Sequence, residues 1–283
     1  MDVIPAIKKA HLQKGEWCWN DLRGQSLESV FRIAAMEFDE PEMLRLLAQL
    51  DAVVAEAKEP PKIDIAFGND AFHVMTHAAS IFGQLAMRAR NMPDALSQIG
   101  KMAMLDRYPL RIEPVVPVLV SLEIMSEEEA LRRLRYLIRD DDSEAASVLI
   151  GTALRFLMQV ETSGSFSEAV WRLVVLEVVA RRPQTLERCL RSLAHGYASD
   201  CAPVPAELDQ LLDYGLELIL RETLPDQKGS EPYYDRFAVR FQATVLVKSM
   251  RAAGRGSSLV LDAWDKAIEQ DALPDTRRAA GLR

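Results

Sequence analysis

Helix-start signals recurring at nearly equal intervals constrain this chain more than any other feature. Ser126-Glu127-Glu128-Glu129 and Ser165-Phe166-Ser167-Glu168 both have the form of a capping box, a hydroxyl followed three residues later by an acid. Pro203 and Pro205 mark a third start, and Ser126, Ser165 and Pro205 stand 39 and 40 residues apart. Two helices and their turns fill about 34 to 47 residues in helical-hairpin repeats. A lone hairpin cannot bury its apolar face, so such units stack against their neighbours.

The apolar pattern inside each interval is that of helices. Leu131, Leu134, Leu137 and Ile138 make a stripe, with Arg132, Arg133, Arg135 and Arg139 toward the negative C-terminal end. Val170, Leu173, Val174 and Leu176 to Val179 follow Ser165. Pro183 ends that helix, and a partner runs to about His195. Leu208, Leu211, Leu212, Ile219 and Leu220 mark the next helix, and Phe237, Phe241, Val245 and Leu246 a long one after it. Gly254-Arg255-Gly256 interrupts the chain before a last helix to about Gln270. Composition agrees: glycine is scarce at 13 of 283 residues, aromatics are 7%, and unbranched side chains that lose little rotamer freedom on a helix are abundant.

Upstream the pattern is less regular. Met43, Leu46, Leu47, Leu50, Val53 and Val54 form the buried stripe of a helix after Glu40-Pro41, ended by Lys58-Glu59-Pro60-Pro61. Lys62 to Phe67 alternates as a short strand or an extended connector does. Helices are expected from Asp70 to about Arg90 and from Pro93. Arg111 to Ile124 reads both ways: its valines favour a strand, while Pro114 and Pro117 resist a central ladder position.

The expected fold is therefore all-α: stacked antiparallel helical hairpins over 126–283, preceded by an irregular helical region over 1–125. The segment Asp271-Ala272-Leu273-Pro274-Asp275-Thr276-Arg277-Arg278-Ala279-Ala280 resembles the second-helix start of a HEAT-type repeat, in which an Asp and an Arg flank a turn before a helix of small residues. That resemblance implies a HEAT-like α-α superhelix. The alternative is an irregular helical bundle whose hairpins merely have average lengths.

The formal net charge of −8 argues against nucleic-acid binding by bulk charge. Cys18, Cys189 and Cys201 are odd in number and widely spaced, which suits buried reduced thiols rather than a disulfide framework or a zinc knuckle. No apolar stretch approaches a membrane span or a secretory signal, so a cytoplasmic location is expected.

Several constellations bear on chemistry. Asp70, His73 and His77 share one helical face and can supply a carboxylate and two imidazoles to a divalent metal; the same residues also suit an N-terminal cap and two part-buried histidines. Asp140-Asp141-Asp142-Ser143-Glu144 matches the D-D-x-x-D/E pattern of terpenoid synthases, whose acids grip magnesium and a diphosphate. The second metal motif of that family is missing here, and a helix cap at Asp142 or Ser143 is the simpler reading. Gly254 to Ser258 lacks the frame of a phosphate loop, and Ser257 or Ser258 is expected to cap the last helix. No nucleophile elbow is present, and Cys189 with His195 lacks a third partner.

Arg132, Arg135, Arg139, Arg181, Arg182, Arg188 and Arg191 can line up as a basic stripe if hairpins stack in register; otherwise they complement helix ends and form surface ion pairs. Tyr233 and Tyr234, like Trp17 and Trp19, are candidate interface anchors. The functional expectation is a non-enzymatic protein-interaction module that takes a protein or peptide partner and no cofactor. A nucleic-acid binder using the arginine stripe and a metal-dependent helical enzyme are the alternatives.

Overall fold

The computed structural model describes residues 37–56, 70–105, 110–140, 144–180, 182–223, 233–270, 277–278 and 281. The side chains of 53–56, 70–77, 140, 144–145, 147–148, 183–184 and 233–237 fall outside that description. Among the described residues the fold is all-helical, without strands. The chain divides into two compact units, 1–130 and 131–283.

In the first unit, α1 (Glu40–Glu56) packs on α2 (Asp70–Arg88) and α3 (Pro93–Ala103). Asp39 caps α1, its Oδ1 accepting the Glu42 N–H at 2.8 Å. The expected stripe residues Met43, Leu46, Leu47 and Leu50 are fully buried. Met92, at the N-cap of α3, makes no side-chain cap bond. Glu40 takes that role from a distance, its Oε1 accepting the N–H groups of Asp94 at 2.8 Å and Ala95 at 3.3 Å. A carboxylate there also meets the positive end of the α3 dipole.

The ambiguous valine-rich segment is helical. Glu113–Val115 is a 3-10 turn leading into α4 (Val116–Ser121), and Val115, Val116, Val118 and Leu119 are all buried. Pro114 and Pro117 each fall in a first helical turn, where no N–H is needed. Tertiary burial overrides the β preference of the valines. Lys62 to Phe67 lies outside the described residues.

Helix α5 (Glu127–Arg135) carries the division between the units. Ser126 caps it as expected, its Oγ accepting the Glu129 N–H at 3.3 Å. A π turn over Tyr136–Asp140 extends α5, followed by α6 (Glu144–Leu157), α7 (Gly164–Ala180), α8 (Pro183–Tyr197), α9 (Asp209–Thr223), α10 (Tyr233–Ala252) and α11 (Ser258–Glu269).

Packing in the second unit alternates. The π turn packs on α7, α7 on α9, and α9 on α11. Helix α6 packs on α8 and α8 on α10, while α7 meets α8 and α9 meets α10 across the two rows. The units that start at 126, 165 and 205 are thus spatial neighbours. Helix α7 is largely enclosed, with Phe166, Val170, Trp171, Val174, Val175 and Val178 buried and a polar edge at Ser165, Glu168 and Arg172.

Two glycines set the approach distance. A Cβ on Gly196 would lie 2.8 Å from the Trp171 ring, and one on Gly215 would lie 2.8 Å from Val178 Cγ1. The buried indoles are satisfied: Trp171 Nε1 donates to the Ala202 carbonyl at 2.9 Å, and Trp264 Nε1 donates to Thr244 Oγ1 at 3.1 Å.

Two expected caps differ. Helix α7 starts before Ser165, and Ser163 Oγ accepts the Phe166 N–H at 3.1 Å. In Ser163-Gly164-Ser165 either serine has a hydroxyl to offer, and the packed position of Phe166 selects the earlier one. Ser257 stands at the N-cap of α11, but its hydroxyl makes no cap bond. Its own N–H instead donates to Asp213 Oδ2 on α9 at 2.9 Å.

Candidate functional site

The second unit carries an open groove of about 400 Å³ between the end of α5 with its π turn and the first three turns of α7. Leu131, Arg135 and Arg139 line it from one side, and Ser165, Glu168, Ala169, Arg172, Leu173 and Leu176 from the other. Leu173 is buried, while Leu131, Ala169 and Leu176 are half-buried and form an apolar floor. Arg135 and Arg172 are exposed along the flanks.

Local sequence explains the geometry. Leu131 and Arg135 are four residues apart on α5, and Ala169, Leu173 and Leu176 repeat once per turn of α7, so each helix turns one edge toward the groove. Arg139 stands in the π turn, a full turn beyond Arg135, and both side chains reach the same groove. The π turn is held by Arg182, whose Nη1 donates to the Ile138 carbonyl at 3.2 Å. The Nε of Arg182 lies 3.4 Å from Glu177 Oε1, a carboxylate buried within α7.

The groove is electropositive in an acidic chain. Among the described residues three guanidiniums face it against one carboxylate, and that carboxylate, Glu168, is paired with Arg172 at 2.7 Å. Arg135 and Arg139 make no ion pair or side-chain hydrogen bond among the described residues. The groove also begins at Ser165, in the first turn of α7, where the helix dipole is positive.

The arginines read as one stripe are placed in different surroundings. Arg135 and Arg139 share the groove. Arg132 and Arg133 lie on the same helix, one exposed and the other half-buried, and both have interactions of their own. Arg182 is turned inward, as described. Arg191 pairs with Glu187 one turn before it, at 2.7 Å. Arg188 lies along α6, its Cδ 3.9 Å from where a Cβ on Gly151 would be, and burial lowers its pKa, as does the neighbouring Arg191 charge. Arg181 and the side chains of Tyr233 and Tyr234 lie outside the described residues, as do Trp17 and Trp19.

Arg172 escaped the sequence reading. Its signal was the Glu168–Arg172 spacing at the start of α7, legible as a surface ion pair but not as one wall of a groove.

The other constellations resolve unevenly. Asp70, His73 and His77 belong to α2, but their side chains lie outside the described residues, as do Asp141, Asp142 and Ser143 and the side chains of Asp140 and Glu144. Among the described residues no three His, Cys, Asp or Glu side chains gather as metal ligands do. Cys189 is buried, and burial together with the Glu177 charge pushes its thiol far above the ordinary range, so it is held protonated and unreactive. Cys201 departs from expectation. It is exposed, in a loop where Ser199 bonds the Cys201 carbonyl and Ala202 takes a left-handed φ of 47°. Cys18 lies outside the described residues.

The glycine-flanked Arg255 is structural. Gly254 and Gly256 have φ of 67° and 83°, and the sharp turn aims the guanidinium at Asp209, the Val204 carbonyl and the Tyr197 ring.

Fold and groove define an all-helical protein with a cationic, apolar-floored surface cleft. The chain matches no family model, no curated protein and no solved structure. No helix among the described residues is long and apolar enough to cross a membrane.

Proposed function

We propose that this chain is a non-enzymatic interaction module of helical-repeat type, and that the groove between α5 and α7 receives a segment of a partner protein. The observation that carries this is the combination, in one cleft, of an apolar floor with two guanidiniums, Arg135 and Arg139, that have no partner among the described residues. Such a cleft suits an occupant that covers the apolar floor and meets the charge. A guanidinium offers hydrogen-bond donors and no acceptor, so these groups suit recognition better than acid–base catalysis. Glu168, the one acid of the groove among the described residues, is paired with Arg172.

The alternating rows of α7, α9, α11 and of α6, α8, α10 support a HEAT-like reading of this unit. In such stacks each hairpin buries its inner face on its neighbours, and the outer face of one row stays available for recognition.

The test is a comparative capture from native lysate. Wild-type chain, the double reversal Arg135→Glu/Arg139→Glu and a control reversal at Arg251, which pairs with Asp262 and Asp265 on α11, are used as baits. A partner held by wild type and by the control but lost from the double reversal supports the reading. Identical captures with all three baits would remove it.

A further inference from the structure

We infer that the occupant of the groove is an acidic amphipathic helix of the partner protein. This rests on reading the groove as a docking surface, and it names what docks. Charge complementarity selects an acid: the chain carries −8 overall, yet among the described residues this cleft presents Arg135, Arg139 and Arg172 against Glu168. Spacing selects a helix. Arg135 and Arg139, four residues apart, follow one edge of the groove, and acids at i and i+4 of a facing helix lie about 6 Å apart along such an edge. The floor residues Ala169, Leu173 and Leu176 follow at intervals of four and three residues, about one helical turn each. From Ala169 to Leu176 they span about 10 Å along α7, room for roughly two turns of a ridge seated in a groove.

The ion pair on the far wall fits the same occupant. Arg172 and Glu168 are about half exposed, at 50% and 45%, so their 2.7 Å pairing is weakly held. A partner carboxylate offering a two-pronged contact can take Arg172 over without stranding a buried charge. The lining includes no aromatic ring, which a single-stranded nucleic acid would use for stacking.

The probe is a fluorescein-labelled synthetic peptide about sixteen residues long, stapled as a helix, with leucines on one face and glutamates at i, i+4 on the flank. It is titrated against the whole chain by anisotropy. Binding is expected, weakening about tenfold or more in Arg135→Glu/Arg139→Glu. Ala169→Arg, which fills the floor from a half-buried position, should weaken it as well. A peptide with lysine in place of glutamate should ignore wild type and bind the double reversal, a charge swap that lost folding cannot imitate.

Equal binding of a proline-interrupted peptide of the same composition would overturn the helix. Arginine-dependent binding of a uridine oligonucleotide with none of the peptide would overturn the protein partner. If the lysate partner is lost on charge reversal but no acidic helix binds, the inference falls and the docking surface stands. If neither responds, both fall.

Discussion

Arg255 holds Asp209 through both carboxylate oxygens, with Nε 3.0 Å from Oδ2 and Nη2 2.6 Å from Oδ1. The same guanidinium donates to the Val204 carbonyl and lies 4.6 Å from the centre of the Tyr197 ring, whose hydroxyl donates to Asp209 at 2.8 Å. One side chain thus ties the end of α8, the start of α9 and the turn before α11. Lysine keeps the charge but has neither the fork nor the planar face. Arg255→Lys is expected to destabilise the second unit by about 1–3 kcal/mol in urea unfolding. An unchanged midpoint would show that the fork is dispensable.

Gly215 sits in the interior of α9, where alanine would ordinarily favour the helix by about 1 kcal/mol. Here the added methyl would meet Val178 Cγ1 at 2.8 Å. Val178 is fully buried and β-branched, so it has little freedom to turn aside. Gly215→Ala should therefore lose about 1–3 kcal/mol. Adding Val178→Ala should recover part of that loss, and simple additivity of the two would refute the contact.

Asp213 has a pKa raised above the ordinary carboxylate value, chiefly by burial. The Ser257 N–H opposes that rise, while the charges of Asp209 and Glu217 add to it. The ionised form is therefore disfavoured in the fold. Stability linked to this group is fully present below the unfolded value, about 3.9, and is lost as pH rises through the folded one. Asp213→Asn keeps an oxygen for Ser257 and sheds the charge. It should be at least as stable as wild type at neutral pH, with its relative gain shrinking on acidification. A variant less stable at pH 7 than at pH 4, compared with wild type at each, would contradict this.

Glu40 caps α3 from the first residue of α1. Replacing it with alanine strands the Asp94 and Ala95 amides and removes a charge from the positive helix end. A loss of about 0.5–2 kcal/mol is expected in the first unit. Amide exchange should report it directly, with the Asp94 and Ala95 protons faster and those of α7 unchanged. Uniform acceleration across both units would point to another cause.

Helices were legible where periodicity and punctuation agreed. The Met43 to Leu50 stripe, the Ser126 cap, and the Pro93 and Pro183 starts all lie where the residues placed them, because each depends on neighbours within one or two turns. Arg111 to Ile124 was not legible, since valine propensity and proline punctuation conflict there and burial settles the outcome. The groove was legible only in part. Arg135 and Arg139 could be singled out as cations near a helix end, but Arg172 joins them only because α7 packs beside the π turn.

Taken alone, the amino-acid order determines an all-helical chain and where most of its helices begin, since capping, proline geometry and apolar period act over a few residues. Tertiary structure decides which arginine turns inward, as Arg182 does toward Glu177 and Ile138, and which stays facing a cleft, as Arg135 does. It also decides that Ser163 rather than Ser165 caps α7 and that Asp213 rather than Ser257 serves α11. The physical reason is range: a helix forms from contacts within its own turns, whereas the environment of a charge depends on groups brought close by packing from distant parts of the chain.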